Sequence, residues 1–141
     1  MTGAPSIVVR PPGDQRAGWF SHHGATGRHR LLVGDVDGTL AGYATSGPLR
    51  AKPASLHSVE TTIHCHPAMT GRGLGTALYR RLLDDLATED VHRAYAGVAL
   101  PNDASERLHR RLGFRELGTY TEVGFKHGTW VDLRWYERPV P

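Results

Sequence analysis

The sequence predicts an α+β fold: a mixed, mostly antiparallel central sheet flanked by helices. Three observations lead there. Short apolar or alternating runs fill residues 7–10, 30–36, 39–44 and 58–66 and read as strands. Leu74, Leu78, Leu82 and Leu86 then recur every four residues, the stripe of a helix that lays one face on a core. A strand, a second helix and two further strands follow as far as Tyr136.

Each element has its local signals. Ile7-Val8-Val9-Arg10 is closed by Pro11-Pro12. A stub holding Trp19 and Phe20 reads as one or two helical turns before a glycine-bounded loop at 24–27. Asp37-Gly38 between apolar runs is a strong hairpin signal joining 30–36 to 39–44, and 47–55, with two prolines, reads as loop. Residues 58–66 place Val59, Thr61, Ile63 and Cys65 on one face and Glu60, Thr62, His64 and His66 on the other. Pro67 ends that strand, and the first helix runs over about 73–87. Residues 93–100 form the fifth strand. Asn102 or Asp103 caps a second helix that continues through Leu112 and stops at Gly113. Strands at 117–125 and 130–136 flank the Lys126-His127-Gly128 turn.

The 141 residues fit one domain, 1–141, with a single core. No apolar run approaches the roughly 18 residues of a membrane span, and the start of the chain has no signal-peptide core. A single cysteine excludes an internal disulfide and suits a reducing compartment, so the expected location is cytoplasmic. A net charge of +3 and a pI near 9.4 fit a solvated basic surface or a polyphosphate ligand. They do not point to nucleic acid, because the arginines are scattered and no aromatic stripe accompanies them.

The informative segment is Thr70-Gly71-Arg72-Gly73-Leu74-Gly75-Thr76, between a strand and an amphipathic helix. Glycines there let the backbone approach a ligand, and the first helical N–H groups have no intrahelical partner. Together with the helix dipole they suit a pyrophosphate; the alternative is a plain glycine-rich connection. A Walker loop is excluded because Gly75 is followed by Thr76-Ala77 rather than Lys-Ser/Thr. The dinucleotide pattern fails too, since the spacing is G-x-G-x-G.

In this window the chain resembles the GNAT acetyltransferases, with Gly73 and Gly75 matching the acetyl-CoA loop and Thr70 standing where Gln or Arg is usual. Four further segments look like the phosphinothricin acetyltransferase branch. These are Ser58-Val59-Glu60-Thr61-Thr62, Leu100-Pro101-Asn102-Asp103-Ala104-Ser105, Leu108-His109-Arg110-Arg111-Leu112-Gly113-Phe114, and the run from Gly124 through Lys126-His127-Gly128 to Asp132. The resemblance implies a GNAT fold and transfer of an acetyl group from acetyl-CoA to the primary amine of a small amino-acid-like molecule. Phosphinothricin, methionine sulfone, methionine sulfoximine and ordinary amino acids are the implied candidates. Members of the branch carry two helices between the first two strands. Here about twenty residues separate Arg10 from Arg30, so the acceptor pocket is expected to be less walled.

The resemblance also assigns residues. Ile63, His64 and Cys65 on the fourth strand, Thr70, Gly71, Arg72, Gly73, Leu74, Gly75 and Thr76 in the loop, and Asn102 and Ser105 at the second helix would bind the cofactor. Asn102 and Ser105 are equally good as helix caps. Glu60 corresponds to the branch's base. Its ordinary pKa near 4.3 makes direct abstraction from an ammonium uphill, so a water relay, a burial-raised pKa or electrostatic holding are open alternatives. His109 stands where many GNAT enzymes place a tyrosine acid near the sulfur, and an imidazole titrates in the right range. Cys65 as a nucleophile has nothing nearby in sequence to activate it and reads as core. His64, His66 and His22-His23 lack a third or fourth ligand at defined spacing, so no metal is expected. A homodimer with the last strands near its interface is implied, with Trp130, Trp135 and Tyr136 as an apolar patch needing cover. Two rival readings remain, a CoA-binding module with little catalysis and a protein or peptide N-acetyltransferase.

Overall fold

The computed structural model describes residues 5–13, 24 and 26–141. The stub around Trp19 and Phe20 and the pair His22-His23 lie outside them, as does most of the link between the first two strands. Seven strands form one sheet: β1 Ile7–Arg10, β2 Leu31–Val36, β3 Thr39–Pro48, β4 Ser58–Cys65, β5 Arg93–Ala99, β6 Arg115–Lys126 and β7 Thr129–Pro139. Their order is β1-β2-β3-β4-β5-β7-β6. Among the described residues two α-helices accompany the sheet, α1 Leu74–Ala87 and α2 Asp103–Arg111. Every neighbouring pair is antiparallel except β4 with β5. The expected mixed sheet is therefore what forms.

The hairpin at Asp37-Gly38 places both residues at positive φ, the backbone that a two-residue turn between twisted strands requires. Three strands run beyond their expected bounds, β7 among them, which ends at Pro139 rather than Tyr136. β3 continues to Pro48, because Thr45, Ser46, Gly47 and Pro48 pair with Thr62, Thr61, Glu60 and Val59. Ser46, polar but fully buried, accepts from the Arg30 N–H at 2.9 Å and donates to the Arg28 carbonyl at 2.7 Å, which makes its burial tolerable. β6 also starts early, at Arg115, where pairing with Glu137 begins.

The leucine stripe of α1 is buried as its spacing requires, each member 2 % exposed or less, and Tyr79 and Leu83 join it. Burying each leucine is worth about 1.5–3 kcal/mol against leaving it in water. This face packs on β1–β4 with Leu32, Val36, Ala44 and Val59.

The C-terminal aromatic residues need a correction. Tyr136 is core, fully buried, and Trp135 is half-buried, because β7 lies inside the sheet between β5 and β6. The exposed apolar surface instead comprises Leu117, Tyr120, Val123 and Phe125 of the edge strand β6, with Trp130 beside them.

Candidate active site

The parallel ladder between β4 and β5 is short. Ser58, Val59 and Glu60 pair with Arg93, Ala94 and Tyr95, and there the pairing stops. The remaining five residues of β4 run on without a β5 partner, so the sheet opens into a wedge with Glu60 at its apex. A cavity of about 510 Å³ follows the free edge. It is lined by Ile63, His64 and Cys65 of β4, by Met69, Thr70, Gly71 and Gly73 of the loop, and by Leu74, Gly75 and Thr76 of α1. Its other wall is Asn102 with Ala104, Ser105, Arg107, Leu108 and Arg111 of α2.

The loop has the backbone its glycines permit. Gly71 and Gly73 sit at φ 78° and 85°, in the left-handed region, and Gly73 serves as the α1 N-cap without a side-chain bond. The first helical bond runs from the Ala77 N–H to the Gly73 carbonyl at 3.0 Å, so the N–H groups before it have no intrahelical partner. Gly75 meets a close approach: a Cβ there would stand 3.1 Å from Leu108 Cδ2 and 3.7 Å from Cys65 Sγ. Burial pushes the Cys65 thiol pKa up, away from thiolate chemistry.

Asn102, not Asp103, caps α2; its side-chain oxygen accepts from the Ser105 N–H at 3.1 Å. Capping and lining the cavity coexist, because the amide of Asn102 has a second end. Arg107 and Arg111 add two cations to a wall with no carboxylate among its residues. Such a wall favours an anion.

Of the expected cofactor residues, Arg72 alone does not line the cavity. Met69, Ala104, Arg107, Leu108 and Arg111 do so without having been singled out. The spacing of Ala104, Leu108 and Arg111, four and then three apart, is the signal that one face of α2 turns toward the cavity.

Glu60 and His109 do not line it either. Glu60 is half-buried at the apex, and burial raises its carboxyl pKa. His109 lies in the core at 2 % exposure, stacked on Tyr136 and edge-on to Tyr79 and Phe114. Its Nδ1 donates to the Ser105 carbonyl at 2.7 Å and its Nε2 meets the Tyr79 hydroxyl at 2.9 Å. Burial lowers its pKa, an effect only partly offset by the Ser105 carbonyl. The cavity is lined instead by its neighbour Ser105, whose hydroxyl is 3.4 Å from Nδ1.

A second cleft of about 480 Å³, behind α1 and α2, has no glycine loop. Among the described residues no group of three or more His, Cys, Asp or Glu side chains could hold a metal ion, and no helix is long and apolar enough to cross a membrane.

The profile of the acetyltransferase (GNAT) family matches residues 5–114. The chain is 54% identical over 129 residues to a phosphinothricin N-acetyltransferase of Streptomyces coelicolor, covering 90% of this chain and 75% of that one. It is 37% identical over 120 residues to an L-methionine sulfoximine/L-methionine sulfone acetyltransferase of Salmonella typhimurium, covering 85% and 70%. Among solved structures it is similar to a phosphinothricin acetyltransferase of Sinorhizobium meliloti in complex with acetyl-CoA. That match has a TM-score of 0.75 at 32% identity and covers 79% of this chain and 61% of that one. It is also similar to yncA of Salmonella typhimurium with its cofactor acetyl-CoA, TM-score 0.82 at 26% identity, over 96% and 94%.

Proposed function

The chain belongs to the GNAT acetyltransferase family and is an acetyl-CoA-dependent N-acetyltransferase; we propose that its acceptor is the primary amine of a small amino-acid-like molecule. Phosphinothricin, methionine sulfone and methionine sulfoximine are the compounds to which its relatives point. The observation that carries the reading is the cavity that starts at the glycine loop and follows β4 toward the wedge.

The residues present fit acetyl-CoA, which supplies an acetyl thioester open to attack by an amine. The backbone of 70–76 would hold its pyrophosphate, with Arg107 and Arg111 meeting further negative charge. Asn102, Ser105 and the Ile63, His64 and Cys65 edge would hold the extended arm. Gly75 leaves room where a Cβ would crowd Leu108 and Cys65.

In this reading Glu60, at the apex, would receive the amine. Its raised pKa brings it nearer to proton exchange, yet an ammonium remains several units more basic, at ~1.4 kcal/mol per unit. Holding the ammonium and passing its proton to water is therefore the role we assign. His109 acts behind Ser105 as a positioning group. We also read the protein as cytoplasmic, and as one that pairs with a second copy over the exposed residues of β6 and Trp130.

The test is thiol release from acetyl-CoA with a panel of amino-acid-like amines and peptides. Turnover on the small amines is the expected result. Acetyl-CoA binding without turnover on any of them would instead mark a binding module, and turnover confined to peptides would mark a protein acetyltransferase.

A further inference from the structure

A buried chain of hydrogen bonds ends at the opening between β4 and β5. The Ser105 carbonyl can only accept, so at 2.7 Å His109 Nδ1 carries the proton. The ring is buried and neutral, which leaves Nε2 as an acceptor. The Tyr79 hydroxyl, 2.9 Å away, must then donate to Nε2, and its one proton is used. The Thr61 hydroxyl, 2.7 Å from the Tyr79 oxygen, is therefore the donor of that bond.

Thr61 has a second possible acceptor. It is the first residue of β4 past the paired stretch, and its Oγ1 is 3.4 Å from the carbonyl of Tyr95, the last paired residue of β5. A hydroxyl has one proton, and Tyr79 takes it at the shorter distance. From this geometry we infer that Tyr79 is a positioning residue for the transfer reaction: by claiming the Thr61 hydroxyl proton at 2.7 Å for the α1 side, it leaves Thr61 only the long 3.4 Å contact across the gap to Tyr95 and so holds the wedge open beside Glu60. His109 sets the polarity of the chain from below. The arrangement of bonds stands on the geometry alone; its consequence for turnover rests on the acetyl-transfer reading.

Replacing Tyr79 by Phe frees the Thr61 proton for Tyr95. We expect Tyr79→Phe to lower kcat about 10-fold, the equivalent of one net hydrogen bond misplaced at the site, with acetyl-CoA affinity unchanged. Thr61→Val, which removes the competing proton, should be close to wild type alone and should restore much of kcat when added to Tyr79→Phe. A merely structural role predicts the opposite, a double variant worse than either single one.

Two magnetic-resonance readings decide the matter without activity. The Tyr95 carbonyl carbon should shift downfield in Tyr79→Phe and return in the double variant. The wild-type ring of His109 should be a single neutral Nδ1–H tautomer. A His109 ring that is charged or protonated on Nε2, or a Tyr95 carbonyl that does not respond, overturns the inference. Wild-type protein that shows these signals but acetylates no amine overturns the proposed acceptor and the claimed consequence for turnover, while the arrangement of bonds stands.

Discussion

Replacing Gly73 by alanine tests how the phosphate loop is held. Gly73 sits at φ 85°, ψ 3°, as the cap of α1, and a Cβ there would find Ile7 Cδ1 as its nearest neighbour at 3.9 Å. Space is thus no obstacle, and the cost is conformational. An L-residue in the left-handed region costs roughly 1–2 kcal/mol. The unfolded chain gives back about 0.4–1 kcal/mol, because alanine has fewer states to lose than glycine. The net loss is about 1 kcal/mol, or about 4 °C in Tm for a chain of this length. If the loop relieves the strain by turning its N–H groups away, one charge-assisted bond to phosphate goes with it, worth about 1.5–3 kcal/mol. Calorimetry should then show acetyl-CoA binding weakened by about 10-fold to 100-fold. Gly73→Asn, which tolerates the left-handed region, should lie between alanine and wild type in both measurements. An alanine variant that melts and binds like wild type would refute the reasoning.

The other predictions are shorter to state. Glu60→Gln should lower kcat about 10²-fold without changing the dissociation constant of acetyl-CoA. Because burial raises the Glu60 pKa, the acidic limb of the wild-type kcat/KM profile should fall above the usual carboxylate range, and this limb should be missing in the variant. The Tyr136 hydroxyl and Arg134 hold the Glu106 carboxyl below that range, so its stabilising effect is complete above the unfolded pKa and is lost as pH falls through the folded one. Urea titrations should show Glu106→Gln destabilised at pH 7 and the difference shrinking in acid. Gly42→Ala would put a Cβ 2.5 Å from the His64 carbonyl oxygen, a backbone atom that cannot step aside, and should cost about 1–3 kcal/mol by thermal melting. Kinetics over the amine panel should give a broad preference with high KM, and one amine favoured more than about 10³-fold, ~4 kcal/mol, would refute the open acceptor pocket.

The parts of this fold legible in the sequence are those set by local chemistry. The leucines of α1, the Asp37-Gly38 turn and a cap at Asn102 or Asp103 each depend on neighbours within one or two turns of chain. So does the glycine-rich turn at 70–76, though the positive φ of Gly71 and Gly73 is seen only in the structure. What escaped was set by distant partners. β3 runs through Thr45 and Ser46 because β4 lies alongside, which their polar side chains do not announce. Tyr136 and Trp130 look alike as C-terminal aromatics, yet only strand order decides that one is buried and the other exposed. His109 was recognised from its surroundings in sequence, but its burial depends on Tyr79, Phe114 and Tyr136 meeting it in space. Arg107 and Arg111 were visible as charges, though not as cavity wall, because helix α2 has to dock before one of its faces becomes a surface of the site.

The edge strand β6 bears on how the chain survives its own synthesis. Twelve residues of open backbone, with Leu117, Tyr120, Val123 and Phe125 exposed, would template the pairing of any nascent copy that met them. Its register against β7 is broken twice, between Glu116 and Gly118 and between Tyr120 and Gly124, where Glu122 turns to φ 51° and its N–H is taken at 2.7 Å by Asp132. The regular runs left are short: Arg115–Glu116, then 118–120, then 124–126. Stacking of identical strands into a fibre calls for about six or seven flat residues in register. The bulges deny it that length, so the apolar edge can meet a folded surface while resisting the repetitive pairing that would carry the protein into aggregates.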